Sequence, residues 1–218
     1  MTNHFNTSTF SHLNLIANFG RKKINMEIIF ASSNQNKAKE IQAALPNDVQ
    51  IRTLIDLGFT DDIPETALTL EGNALLKAEF TYNKWQKNCF SDDSGLEITA
   101  LQGEPGVFSA RYAGPQRNDN DNMDLVLEKL KNVPDRSACF KTVIALIYNG
   151  ETFVFEGRVD GTIRMDKKGS HGFGYDPIFE PEGIGKTFAE MTIEEKSNFS
   201  HRKRAVDKMV AFINSKMN

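Results

Sequence analysis

Apolar and polar positions along this chain follow two periods, and the periodic segments are separated by glycines, prolines and short polar runs. Ile28-Ile29-Phe30-Ala31 is an unbroken apolar run of strand length. After a polar turn, the spacing over residues 38–45 predicts a helix that stops at Pro46. Residues 49–54 alternate as a second strand, and the acidic stretch 60–69 predicts a loop. A longer helix is expected over residues 70–85, with Leu75, Ala78, Tyr82 and Trp85 on one face and Asn73 and Lys77 opposite, on the polar side. Cys89-Phe90 reads as a strand leading into an acidic turn, residues 103–114 as a Gly- and Pro-punctuated loop, and residues 123–130 as a short amphipathic helix after a polar linker. Asn149-Gly150, between apolar runs at 138–148 and 152–159, is a strong hairpin signal. Thr192-Ile193-Glu194-Glu195 matches a capping box, and Val206, Met209, Val210 and Ile213 form the apolar stripe of a final helix. Helix-linked strands together with a hairpin predict an α/β fold built on a mixed sheet with flanking helices.

Composition narrows the partners. A chain of 218 residues suits one domain or a two-lobed one. Its formal net charge of -3 argues against a general nucleic-acid binder, although a few clustered cations suffice for a nucleotide site. Cys89 and Cys139 sit in apolar runs with no Cys or His at metal spacing, which predicts buried thiols and a reducing, cytoplasmic setting. No apolar run approaches the ~20 residues of a membrane span, so no membrane partner is expected. Residues 1–25 lack Asp and Glu and carry Arg21-Lys22-Lys23. They are read as a disordered or non-native extension before Met26, with a transit peptide as the compositional alternative. The fold is expected over residues 26–218.

Three separated segments carry the candidate chemistry. Ser32-Ser33-Asn34-Gln35-Asn36-Lys37 occupies a strand-to-helix turn, where exposed N–H groups favour an anion and Lys37 adds a charge. The same residues also read as a plain N-cap by Ser32 or Ser33 with a solvated lysine, and the glycines of a P-loop are missing. Asp92-Asp93, before Ser94-Gly95, would point to opposite sides of an extended chain, so that one could hold structure while the other faces a cleft. Carboxylates of this kind suit Mg²⁺ shared with substrate phosphates, and one beside the ion can activate water. Glu65 and Glu71 are candidate further ligands; Glu71 also gains from the dipole of its own helix, and Lys77 could reach a phosphate or solvent. In Gly172-Phe173-Gly174-Tyr175-Asp176-Pro177, Phe173 is expected to stack on a base, Asp176 to accept from a ring N–H, and Tyr175 to pack into the core. With Ser200 as N-cap, His201 and Arg202 fall in a first helical turn where positive charge opposes the dipole, which together with Lys196 suggests a nearby anion or polar ligand.

Taken together these blocks resemble the inosine triphosphate pyrophosphatase family. The likeness runs from about Glu27 to the end and includes Ser33-Asn34 with Lys37, Asp92 to Leu96, Pro105 to Tyr112, Phe173 to Phe179, and Glu195-Lys196 with Ser200-His201-Arg202. The resemblance implies an elongated mixed α/β fold, two lobes around a central cleft, and usually a homodimer. It also implies Mg²⁺-dependent cleavage of a purine nucleoside triphosphate to monophosphate and pyrophosphate. By matching position, Asp93 would be general base and metal ligand. The Ser32–Lys37 turn and Ser94 would hold substrate, and Phe173, Gly174, Tyr175, Asp176, Lys196, His201 and Arg202 would surround the base and phosphates. Two departures stand out: Ser32-Ser33-Asn34 replaces the usual Thr-Gly-Asn, and Pro64 replaces the first of an acidic pair before Glu65. The second metal ligand is therefore open between Glu65 and Glu71. Septum-associated pyrophosphatases, with similar chemistry on other bases, and a nucleotide-binding regulator without turnover are the alternatives.

Overall fold

The computed structural model describes residues 26–217; the expected extension over 1–25 lies outside them. In chain order the main elements are β1 (Met26–Phe30), α1 (Gln35–Ala44), β2 (Val49–Thr53), α2 (Leu70–Trp85), β3 (Cys89–Ile98), α3 (Asp119–Lys129), β4 (Ser137–Tyr148), β5 (Glu151–Ile163), β6 (Phe179–Pro181), α4 (Ile193–Lys196) and α5 (His201–Met217). The strands form one mixed sheet in the order β2-β1-β3-β4-β5-β6. β1 runs parallel to β2 and β3, and the remaining pairs are antiparallel. The α/β architecture expected from the pattern is the one found.

Strand alternation decides which helix covers which face. Ile28 and Phe30 of β1, with Phe90, Ile144 and Leu146, pack against Ile41 of α1 and Val206, Met209 and Ile213 of α5. Ile29, Cys89, Val143, Ala145 and Ile147 point the other way and meet Leu70, Ala74 and Ala78 of α2. A third cluster at the far end of the sheet joins Leu96, Ile98, Phe140, Val159 and Ile163 to Met123, Val126 and Leu130 of α3 and to Phe179 and Phe188. The same strands, β3, β4 and β5, thus floor separate cores, and the site lies between them. The β4–β5 hairpin turns at Asn149 (φ 53°) and Gly150 (φ 83°), both left-handed, as a two-residue turn of this sequence requires. Gly157 is needed for a different reason: a Cβ there would lie 2.0 Å from the carbonyl oxygen of His201. Absence of a side chain lets the start of α5 lie directly on β5.

Some boundaries differ from the expectation. β3 does not end in an acidic turn; it runs unbroken through Asp92 and Asp93, because β4 pairs with it from Cys89 to Ile98. The polar linker before residue 123 is itself helical, since Asn118 caps α3 by accepting from the N–H groups of Asn120 and Asp121. The α1 cap is Asn34 rather than Ser32 or Ser33; its Oδ1 accepts from Asn36 and Lys37 N–H at 3.0 and 3.1 Å. Residues 103–114 contain a 3₁₀ segment, Gly106–Arg111. Asn73 and Lys77, on the polar side of α2 by pattern, are buried. The capping box at Thr192 and Glu195 is present, and both cysteines are buried and free.

Candidate active site

The pleat of β3 sends its two adjacent carboxylates to opposite faces, where they meet cations from different helices. Asp92 faces α1 and α5. Its oxygens accept from Lys37 Nζ at 3.1 Å, from Ser94 Oγ at 3.1 Å and from Arg202 Nε at 3.4 Å. Burial pushes this carboxyl up, but Lys37, Arg202 and Lys77 outweigh it and hold it down to about 2. Asp93 faces α2. Its oxygens accept from Ser94 N–H at 3.0 Å and Asn73 Nδ2 at 3.2 Å, and Lys77 Nζ stands 3.8 Å away. Here burial wins over Lys77 and Lys37, helped by Glu65 and Asp92, and the carboxyl is raised above its ordinary value. Two neighbours in sequence are thereby split into a fixed anion and a more basic carboxylate.

Lys77 reaches under the chain from α2, donating to Glu65 at 2.6 Å and to the carbonyl of Asp92 at 2.8 Å. Burial alone would lower its pKa, but Asp93, Glu65 and Asp92 more than compensate and raise it. Glu65 and Asp93 therefore have the Lys77 ammonium as a common neighbour, and both line the cleft. Both are hard oxygen donors, which fits a divalent cation such as Mg²⁺. No group of three or more His, Cys, Asp or Glu side chains converges at metal spacing among the described residues, so water and phosphate oxygens would complete the shell of such an ion. Glu71 is exposed in the first turn of α2 and does not line the cleft, and both oxygens of Asp92 are engaged by Lys37, Ser94 and Arg202.

The other end of the site is organised by a residue that pattern reading missed. Glu40, one turn beyond Lys37 on α1, ion-pairs with Arg202 and accepts from Lys196 Nζ at 2.6 Å. Burial raises Glu40, but the two cations lower it further, so its pKa falls. Lys196 also donates to Asp176 at 2.6 Å, and Asp176 accepts from Phe173 N–H at 3.0 Å. Asp176 is nearly fully buried and raised in pKa by that burial. It shores up its own loop, and a Cβ at Gly172 would lie 2.0 Å from its Oδ2, so glycine is required where the loop folds over it. Tyr175 is in the core as expected, its hydroxyl donating to the carbonyl of Ser109 at 2.8 Å. Phe173 stays half-exposed, with Lys196 and Arg202 at 5.5 and 5.7 Å from its ring centre.

His201 is not the cation that its place beside Arg202 implied. It is buried and stacked on Phe140 at 4.7 Å and 11°. Burial first, then Arg202, Lys196 and Lys37, lower its pKa well below 6.5, so the ring is neutral in the fold. An unfolded chain takes up this proton below pH ~6.5 while the folded one refuses it. The contribution of a neutral His201 to stability is thus complete above pH ~6.5 and falls at lower pH, by up to ~1.4 kcal/mol per pH unit. The difference between urea midpoints at pH 7 and pH 5 should shrink in His201→Phe, whose ring keeps the stack and cannot titrate.

These residues meet at a cleft of about 240 Å³. Of the residues expected to form the site, Ser32, Ser33, Asn34, Lys37, Glu65, Lys77, Asp93, Ser94, Phe173, Gly174, Tyr175, Asp176, Lys196, His201 and Arg202 line it. Gln35 and Asn36 lie exposed in the first turn of α1, outside the lining. The cleft also holds Asp61, Asp62, Arg117 and Asp119, which motif reading passed over, and Ser109 of the Pro105–Tyr112 block, to which no role was given. Thr142 was missed as well; its hydroxyl is 2.7 Å from Ser94 Oγ.

A mixed sheet carrying split carboxylates over a cation-lined cleft defines a class of α/β protein with a charged central cleft, and comparison with known proteins narrows it. The Ham1 family model matches residues 28–212. A dITP/XTP pyrophosphatase of Flavobacterium psychrophilum is 53% identical over 187 residues, 86% of this chain and 98% of that one. One from Bacillus licheniformis is 41% identical over 86% of this chain and 97% of its own. The solved Ham1 protein of Staphylococcus aureus superposes with a TM-score of 0.79 at 42% identity, covering 88% of this chain and all of that one. The chain belongs to the Ham1 family, in agreement with the resemblance carried by its motifs.

Proposed function

We propose that this protein hydrolyses non-standard purine nucleoside triphosphates, ITP, dITP and XTP, to monophosphate and pyrophosphate with Mg²⁺, and so cleanses the nucleotide pool. The observation that carries the reading is the buried carboxylate of Asp93 in the cleft, raised in pKa and set against Lys77 and Glu65. The names of the Flavobacterium and Bacillus relatives agree with it.

Asp93 and Glu65 would hold the ion, which supplies charge neutralisation on phosphate oxygens when bound. Asp93 takes the proton of the water that attacks the α-phosphorus, the part that a carboxylate lining the cleft is placed to play. The Asn73 amide and the Ser94 N–H fix that carboxylate in orientation. Lys37 and Lys77 counter charge that develops on the departing pyrophosphate, so positioning and electrostatics are the main levers. At the other end, Lys196 and Arg202 are held by Glu40 as a rigid pair of donors beside Phe173. Inosine and xanthosine offer an acceptor oxygen at purine position 6, whereas adenine offers an amino donor. A donor left unpaired against donors costs ~1–3 kcal/mol, enough for about tenfold to hundredfold discrimination.

The test is a panel of pyrophosphate release from ITP, XTP, dITP, ATP, GTP and modified pyrimidine triphosphates, each with Mg²⁺ and with chelator. Release from the 6-oxo purines beyond guanine, lost on chelation, is the expected result. Preference for the pyrimidines would move the chain to the septum-associated chemistry, and tight binding with no release would make it a regulator.

A further inference from the structure

Four of the cations lining the cleft are committed to buried carboxylates or to carboxylates at its wall. Lys37 holds Asp92, Lys77 holds Glu65, Lys196 holds Glu40 and Asp176, and Arg202 holds Glu40 and Asp92. Arg117 is different. Its carboxylate partner is Asp62, at 3.8 Å, with the two side chains 53% and 78% exposed. So long and wet a contact contributes little. Yet Arg117 is not a stray surface residue. Its backbone is left-handed (φ 52°), an uncommon choice for a non-glycine residue, which turns the chain into α3. Two residues on, Asp119 accepts from Gly174 N–H at 2.7 Å and ties this turn to the Phe173 loop. On its other side the Arg117 charge is one of those acting on Glu65. The guanidinium thus stands at the mouth of the cleft, between the aromatic loop and the acidic loop, with no strong partner among the described residues.

Resting on the triphosphate reading above, we propose that Arg117 is a substrate-binding residue that exchanges Asp62 for the outer phosphates of the triphosphate tail. A guanidinium grips phosphate through paired, charge-assisted hydrogen bonds, which a distant, solvated carboxylate does not match. The same grip meets the pyrophosphate that leaves, so it acts on the leaving group rather than on the nucleoside. Asp62 parks the side chain between turnovers and competes with the substrate.

Calorimetric titration of inorganic pyrophosphate and of inosine monophosphate, each with Mg²⁺, separates the two ends of the site. Arg117→Asn keeps a residue that tolerates the left-handed turn and removes the charge. It should weaken pyrophosphate binding about 10- to 100-fold, raise KM for ITP in step, and leave the monophosphate affinity unchanged. Arg117→Lys should recover part of the loss, and Asp62→Ala should tighten pyrophosphate binding. Equal pyrophosphate affinity in wild type and Arg117→Asn overturns the inference, and so does a parallel loss of monophosphate affinity. A wild-type protein that neither binds pyrophosphate nor hydrolyses any triphosphate overturns the proposed function itself; full wild-type activity with an indifferent Arg117→Asn overturns only the role of Arg117.

Discussion

Asp93→Asn is expected to lower kcat on ITP about 10²- to 10⁴-fold, the usual contribution of a positioned general base, while nucleotide binding stays measurable. Asparagine has the same shape and can still accept from Ser94 N–H through its carbonyl. Its new amide meets the Asn73 amide, which cannot turn freely because Asn73 Oδ1 already accepts from Ala67 N–H at 2.9 Å. That donor–donor contact costs ~1–3 kcal/mol, tolerable against a typical stability of ~5–15 kcal/mol. Loss of rate without loss of fold is therefore the signature, read from single-turnover kinetics beside a urea titration. The pH profile adds a second check. Since the Asp93 carboxyl is raised above its ordinary value of 3.8, the acid limb of kcat/KM in the wild type should lie above that value, with activity falling as the carboxylate takes up its proton. Residual turnover in the asparagine variant should lack this limb. Substantial retained activity would remove Asp93 from the role of base.

Much of this arrangement was readable from spacing, and the exceptions share a cause. A period of 2 or 3.6 locates an element and its apolar face, which is why α2, the hairpin at Asn149-Gly150 and the stripe of α5 were legible. Periodicity also separates polar from apolar, and so it put Asn73 and Lys77 on the polar face of α2 without saying what they meet there. In the fold they are the side chains that reach Asp93 and Glu65, buried because their partners are buried. Glu40 escaped for a related reason. Its spacing of three from Lys37 puts both on one helical face, a signal that was present, but the ligands that give it meaning lie at Lys196 and Arg202, far along the chain. His201 was assigned a charge from its helix position, whereas the environment that decides its protonation, the Phe140 ring and the Arg202, Lys196 and Lys37 charges, is set by tertiary packing. Short motifs conveyed which residues take part; which of them are paired with each other became visible only when β3 was placed between α1, α2 and α5.

The largest stability effect should come from the anion that is not proposed as the base. Asp92→Leu leaves Arg202, 3% exposed, and the largely buried Lys37 without their shared carboxylate. Leaving a buried charge wholly unpaired costs about 3–5 kcal/mol; Arg202 keeps Glu40, so the loss falls toward the lower end, about 3 kcal/mol, still a fifth or more of a typical ~5–15 kcal/mol. The urea midpoint should fall accordingly, with circular dichroism still native in the absence of denaturant if the total exceeds the loss. Acid should act by the same route. The folded carboxyl sits at about 2 and the ordinary value is 3.8, so the unfolded chain binds the proton first. Asp92 contributes fully above pH ~4 and its contribution is lost as pH falls towards ~2. What distinguishes an excess buried cation, left to share Glu40 with Lys196, from a lost contact is the double variant Asp92→Leu/Arg202→Met. Lys37 can move its ammonium to water from the cleft wall, but Arg202 cannot, and Glu40 remains to satisfy Lys196. Removing the guanidinium should therefore restore stability over Asp92→Leu, since a well-filled apolar replacement of a buried pair is often neutral. Catalysis would not return with it, as Arg202 is one of the two donors proposed to face the base. If the double variant is less stable than the single one, the network is held by packing and not by charge balance, and the assignment of Asp92 as the fixed anion of the site fails.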